Sequence, residues 1–205
     1  MELKEIFSQN CLLFTKDQHL IENLWSEIEQ KYSEKSRYYH NLEHLENMFS
    51  ELDAVKDRLE NYSFISFSVF YHDVIYDASS KSNEEKSAEF AKIRLEKLHV
   101  DSESVKKISE QIIATKTHQK SEDNDTNYLL DADLSILGKD LKTYMDYTKK
   151  IRKEYAIYPD IFYKPGRKNV LQYFLKLKNI FKTEYFHEKY EVRARANILF
   201  EIESL

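Results

Sequence analysis

Only two glycines and two prolines occur in 205 residues, so the chain has few of the residues that supply positive φ or the breaks between strands. Sheets need frequent tight turns; long helices do not. The apolar residues agree: Leu20, Ile21, Leu24, Trp25 and Ile28 recur at helical spacing between His19 and Tyr32. Leu42, Leu45, Met48, Phe49 and Leu52 do the same in a segment from about His40 to Leu59. Phe64 to Tyr76 is almost continuously apolar, which suits a buried strand by composition, but no other strand exists to pair with it and it reads as a buried helix. Ser80, Ser82 and Asn83 precede the acidic start of a helix reaching Leu98, and a further one spans Ser102 to about Thr115. Thr117 to Thr126 is polar throughout and reads as an exposed loop. Helices are then expected over Tyr128 to Leu137, with Gly138 as its C′ residue, and over Lys139 to Ala156, Arg167 to Thr183 and His187 to Glu201. Pro159, Pro165 and Gly166 fall between the helices expected at Lys139 to Ala156 and Arg167 to Thr183. The fold class expected is all-α.

With 41% hydrophobic residues the chain can bury one substantial core, so residues 1–205 are read as a single domain. Its 31 basic and 36 acidic residues leave a net charge of -5 with no long block of one sign, and no nucleic-acid partner is indicated. The stretch from Met1 to Phe14 carries Glu2, Lys4 and Glu5 and lacks the basic start and cleavage site of a secretory signal. No run of about 18 apolar residues occurs, so no membrane span is expected. Cys11 is the only cysteine, which excludes an internal disulfide and fits a reducing cytoplasm. It is expected as a small buried apolar residue rather than a nucleophile.

Three short segments carry the chemistry: Tyr39-His40-Asn41-Leu42-Glu43-His44, Tyr71-His72-Asp73 and Asp131-Ala132-Asp133. His40 and His44 stand one helical turn apart and are expected on one face. His72 and Asp73 are neighbours in a greasy helix, where a desolvated carboxylate must be paired, hydrogen-bonded or metal-bound. Imidazole and carboxylate together suit a first-row divalent ion, Mn, Fe, Co, Ni or Zn, better than a calcium cage of oxygens. The competing readings are structural: His72 as a core histidine bonded to a carbonyl, Asp73 as a cap or a partner of Arg37, and Asp131 and Asp133 as acids near a helix start.

The ordered pattern of His, His-Asp and Asp on helices resembles the HD superfamily of metal-dependent phosphohydrolases. Arg37 to His44, Phe70 to Asp73, Asn83 to Ala88 and Leu130 to Gly138 resemble a bacterial subgroup described as predicted HD phosphohydrolases, and Ile151 to Ala156 and Gly166-Arg167 continue the likeness. The resemblance implies an HD-type helical bundle in which one histidine, the His-Asp pair and a distal aspartate share an ion. Tyr39-His40-Asn41 with His44 is also similar to the cyclic nucleotide phosphodiesterases, which implies His44 as ligand and His40 as general acid; in simpler HD proteins one histidine fills this place, leaving His40 as the rival ligand. Ala132-Asp133 matches the distal aspartate, leaving Asp131 as an outer partner or base. The implied ligand set is His44, His72, Asp73 and Asp133, with Mg added to the candidate ions.

The activity so implied is hydrolysis of a phosphate ester or phosphoanhydride in a nucleotide or other small phosphorylated metabolite, by metal-activated water. Asp73 or Asp131 takes the water's proton, and His40 protonates the leaving oxygen. Arg152, Arg167 and Lys116 are candidate phosphate contacts, with Lys164 ranked behind the two arginines. His118 is read either as a further ligand or substrate contact or as a loop histidine. Glu84 and Glu85 begin a helix or reach the site, and Tyr39, Tyr71 and Tyr155 fill core or flank a base. Two other readings stand beside this one: a cyclic nucleotide or dinucleotide phosphodiesterase, and a non-catalytic metal-containing ligand-binding module.

Overall fold

The computed structural model describes residues 2–205, and among these it contains ten α-helices and no strand. Within the 205 residues, contacts gather into two compact units, Met1–Leu129 and Leu130–Leu205. The first holds α1 (Leu3–Cys11), α2 (Gln18–Tyr32), α3 (Leu42–Asp53), α4 (Tyr62–Tyr71), α5 (Asn83–Lys97), α6 (Ser102–Ala114) and the start of α7 (Asn124–Leu134). The second holds the end of α7, a 3-10 turn at Ser135–Gly138, α8 (Leu141–Glu154), α9 (Asp160–Lys176) and α10 (Glu184–Ser204). Among the described residues no helix is long and apolar enough to cross a membrane.

The first unit is built around α4. Because this helix is apolar on every side it must be covered on every side, and α1, α3, α5 and α6 all pack against it. Ile65, Phe67, Val69, Phe70 and Tyr71 are fully buried. Phe7 of α1 enters the same core, edge-on to Phe70 with ring centroids 5.2 Å apart and 6.0 Å from Trp25. No helix was expected there, yet Leu3, Ile6, Phe7, Asn10 and Cys11, the buried residues of α1, keep the i, i+3, i+4 spacing of one face. Asn10 is satisfied by donating to the Ser63 carbonyl at 2.9 Å. Cys11 is buried, and burial pushes its thiol up to about 12, so it stays protonated and inert.

Polar residues set the helix ends. Asp17, Asn61 and Asp101 accept from backbone N–H groups in the first turns of α2, α4 and α6. The polar stretch before Thr126 departs from the exposed loop expected of it: α7 already begins at Asn124, and Asp125 is fully buried. Its carboxylate accepts from Glu60 N at 2.9 Å and Asn61 N at 2.8 Å, at the threshold of α4. Apolar periodicity is blind to a buried acid satisfied by distant backbone donors.

In the second unit α10 packs on the Ser135–Gly138 turn and on α9. Gly138 does not take the left-handed conformation expected of a C′ glycine, since no glycine has positive φ. It is needed for close approach instead: a Cβ there would stand 2.4 Å from Tyr190 Cβ. Helix α9 also starts earlier than expected, with Pro159 as its N-cap and Pro165 inside it. The carbonyl that Pro165 leaves without an N–H partner belongs to Ile161, which is 75% exposed and open to water.

Gly138→Ala should therefore force α10 away from the turn and lower stability by about 2–3 kcal/mol in urea unfolding. Gly166, with nothing within 4 Å of an added Cβ, is the control: Gly166→Ala in the same helical unit should stabilise by up to about 1 kcal/mol.

Candidate metal centre

The site in the first unit begins where helices end. Asn41 caps α3 by accepting from Glu43 N at 3.0 Å and His44 N at 3.4 Å, which fixes His44, a buried residue, in the first turn. His40 lies before that cap, outside the helix, so the expectation that His40 and His44 share a helical face is corrected. Their rings still approach, with centroids 5.9 Å apart, because the chain turns at Asn41.

His72 is the C-cap of α4 and is buried; Asp73 follows it outside the helix. Adjacent side chains on a helix diverge by about 100°, but the helix stops at Tyr71, and the two side chains converge to 3.1 Å between His72 Nε2 and Asp73 Oδ2. His72 Nδ1 lies 2.9 Å from the Val69 carbonyl oxygen. A carbonyl only accepts, so Nδ1 carries a proton, and in the neutral ring the lone pair of Nε2 faces inward. That Nε2 is also 3.2 Å from His44 Nε2. Two buried imidazole nitrogens thus lie 3.2 Å apart, and the half-buried Asp73 carboxylate touches one of them. Ligand atoms about 2.0–2.1 Å from a shared zinc-like ion stand about 3 Å apart, so the two nitrogens are spaced to share a divalent cation, and the bond to Val69 is the kind of second contact that orients a ligating histidine.

The loop that carries Asp73 is held residue by residue. Arg37 donates through Nη1 to the Asp73 carbonyl at 2.6 Å and the His40 carbonyl at 3.2 Å, and through Nη2 to the Val74 carbonyl at 2.9 Å. Its guanidinium lies over the Tyr32 and Tyr76 rings, 5.0 and 5.6 Å from their centroids. Arg37 grips the backbone of Asp73, not its carboxylate, which leaves that carboxylate to the histidines. Ser87 Oγ accepts from Ile75 N and donates to Ile75 O, and Asn83 does the same for Asp77 through its amide. His40 faces the same centre: its Nε2 is 3.9 Å from Asp73 Oδ2, and its ring stacks on Tyr76 with centroids 4.3 Å apart. Sequence reasoning did not single out Tyr76; Arg37 entered as part of a motif and as a candidate partner of Asp73, and the structure gives it the Asp73 carbonyl.

In the second unit Asp131 and Asp133 lie two residues apart on α7 and so point to opposite sides. Asp131 is fully buried, and its carboxylate accepts from Lys182 N at 2.7 and 3.0 Å, Thr183 N at 2.7 Å and Thr183 Oγ1 at 2.8 Å, where α10 begins. Burial pushes its pKa up to about 6, with the backbone donors opposing the rise. Asp133 is half-buried.

The remaining candidates have structural partners. Arg167 forms a bidentate pair with Glu201 at 2.8 and 3.1 Å beside the Tyr147 hydroxyl at 3.3 Å, and Tyr144 also donates to Glu201. Arg152 donates to Asp160 at 2.8 Å and to the Tyr155 and Tyr158 carbonyls, closing the turn between α8 and α9. Lys116 bonds the Lys81 carbonyl at 2.8 Å and pairs with Glu85, holding that carboxyl below its usual range. His118 follows α6 at φ 50°, its N–H bonded to the Ala114 carbonyl, and Lys164 is exposed. Tyr71 is core, Tyr39 lies 5.0 Å from both the His40 and His44 rings, and Tyr155 stands beside Tyr158 and Tyr163.

Arg37→Lys keeps the charge but not the fork that reaches three carbonyls. It should cost about 3 kcal/mol in denaturant unfolding, since buried carbonyls lose their donors. Set beside families, curated proteins and solved structures, the chain gives no match to any family model, any curated protein or any solved structure.

Proposed function

We propose that the chain is a metal-dependent phosphohydrolase of HD type, acting on a phosphate ester or phosphoanhydride in a nucleotide or other small phosphorylated metabolite. The observation that carries the reading is the His44–His72 pair, whose Nε2 atoms face each other at 3.2 Å while Val69 fixes the His72 tautomer. His44 and His72 are residues that suit a metal ion, and Asp73 adds a carboxylate beside His72. Their mixed nitrogen and oxygen donors favour Mn, Fe, Co, Ni or Zn over Ca, with Mg the hard-ion alternative. When bound, such an ion supplies Lewis acidity, lowering the pKa of coordinated water toward neutrality and polarising a phosphoryl oxygen.

The chain's own groups divide the proton work. His40, partly exposed and held face-on by Tyr76, is placed to give a proton to the leaving oxygen and to regain it from solvent. Asp73 Oδ2, within reach of His72 and His40, is the acceptor for the proton of the attacking water. Asp131 is the weaker candidate for that role, because its oxygens are already engaged by Lys182 and Thr183. Its part is to hold the start of α10. Arg37 and the Ser87 and Asn83 side chains keep Asp73 in place while the chemistry proceeds.

Protein purified with Mn, Fe, Co, Ni, Zn and Mg in turn should bind about one equivalent of metal or more. Chelation should lower Tm by about 5–10 °C, and at least one metal form should hydrolyse a member of a nucleotide and sugar-phosphate panel. His40→Ala should retain its metal while losing about 10²–10⁴-fold in turnover. No hydrolysis in any metal form would reject the enzymatic reading, and no metal uptake would reject the site.

A further inference from the structure

Helix α10 carries apolar residues on two opposite sides. With residues 100° apart around the axis, its inward face is Phe186, Tyr190, Ala194, Asn197, Ile198 and Glu201, all buried. The opposite face carries Val192, 84% exposed, with Leu199 at 51% and Phe200 at 46%, and the exposed Ala196 midway between them. A helix face turned to water is ordinarily charged. This one carries exposed Lys189 and Glu203 at its two ends, with exposed Glu188 and Arg193 along its flanks.

The order along the face is self-complementary about Ala196. If a second α10 lies antiparallel across a two-fold axis at that residue, Lys189 meets Glu203 of the second copy, Val192 meets its Phe200, the stem of Arg193 covers its Leu199, and Ala196 meets Ala196. Opposite charges come together at both ends, apolar residues come together between them, and the small residue falls at the crossing, where two backbones need to approach. The same residues on a heterologous partner would have no reason to be arranged symmetrically.

We propose that this face of α10 is an isologous interface that pairs two copies of the chain. Lys189 Nζ also bonds the Tyr185 hydroxyl at 3.1 Å and lies 4.9 Å from the Tyr190 ring centroid, which holds its head at the edge of the face. The terminal ion pairs are exposed and add little affinity; they set the antiparallel direction. The stripe from Lys189 to Glu203 is about 21 Å long at 1.5 Å per residue, a small contact for a protein pair, so the dimer dissociates on dilution.

Sedimentation equilibrium from low to high micromolar concentration tests this. The weight-average mass should rise from the monomer's 24.6 kDa toward twice that value. Val192→Glu should hold the protein monomeric, with circular dichroism and Tm unchanged because the residue is exposed. Lys189→Glu should weaken the dimer at least tenfold, and the exchange Lys189→Glu with Glu203→Lys should restore it. A wild type that stays monomeric throughout, including one that instead co-sediments with anionic lipid vesicles, would overturn the proposal. So would a dimer indifferent to Val192→Glu or to the charge exchange.

Discussion

The hydrogen bond between His72 Nδ1 and the Val69 carbonyl decides what the polar end of α4 is. Without it the imidazole is free to present either nitrogen, and the meeting of His72 with His44 and Asp73 becomes an ordinary buried hydrogen-bonded cluster. With it, Nε2 is turned toward His44 and the Asp73 carboxylate, an arrangement that a cation would satisfy. Because α4 ends at Tyr71, His72 and Asp73 can face each other; one turn more of helix would carry the Asp73 side chain away from its neighbour.

The end of α4 is in turn a consequence of packing. A helix apolar all round has to be enclosed, and α1, α3, α5 and α6 enclose it, delivering His72 to the rim of its own core. From there the chain leaves the helix under the control of Arg37, whose guanidinium collects the carbonyls of His40, Asp73 and Val74. One side chain thereby ties the histidine segment before α3 to the aspartate after α4. Ser87 and Asn83 continue the restraint to Asp77, which gives the motif-like residues of α5 a physical purpose that does not involve touching a substrate.

Much of this could be read from the residues. The all-α class followed from helical spacing and the scarcity of glycine and proline, and α4 was recognisable because an apolar run without a partner strand has to be a buried helix. The His72-Asp73 pair stood out as polar residues where polar residues are costly. What escaped were features that depend on chain ends and distant partners. Helix α1 was too short for its spacing to stand out, Asp125 looked like loop until its backbone donors at residues 60 and 61 were in place, and Gly138 answers to Tyr190 on α10 and not to its own turn. His40 and His44 show the limit of periodicity most clearly: a one-turn spacing suggested a shared face, whereas Asn41 starts the helix between them.

The central claim is that Nε2 of His44 and Nε2 of His72 hold a divalent ion. Anomalous diffraction from crystals soaked in Mn or Zn tests it most directly. The account predicts a peak bonded through Nε2 of both histidines, with His72 Nδ1 still on the Val69 carbonyl. A soaked crystal with no peak at these nitrogens, or with metal only on exposed carboxylates elsewhere, would contradict it.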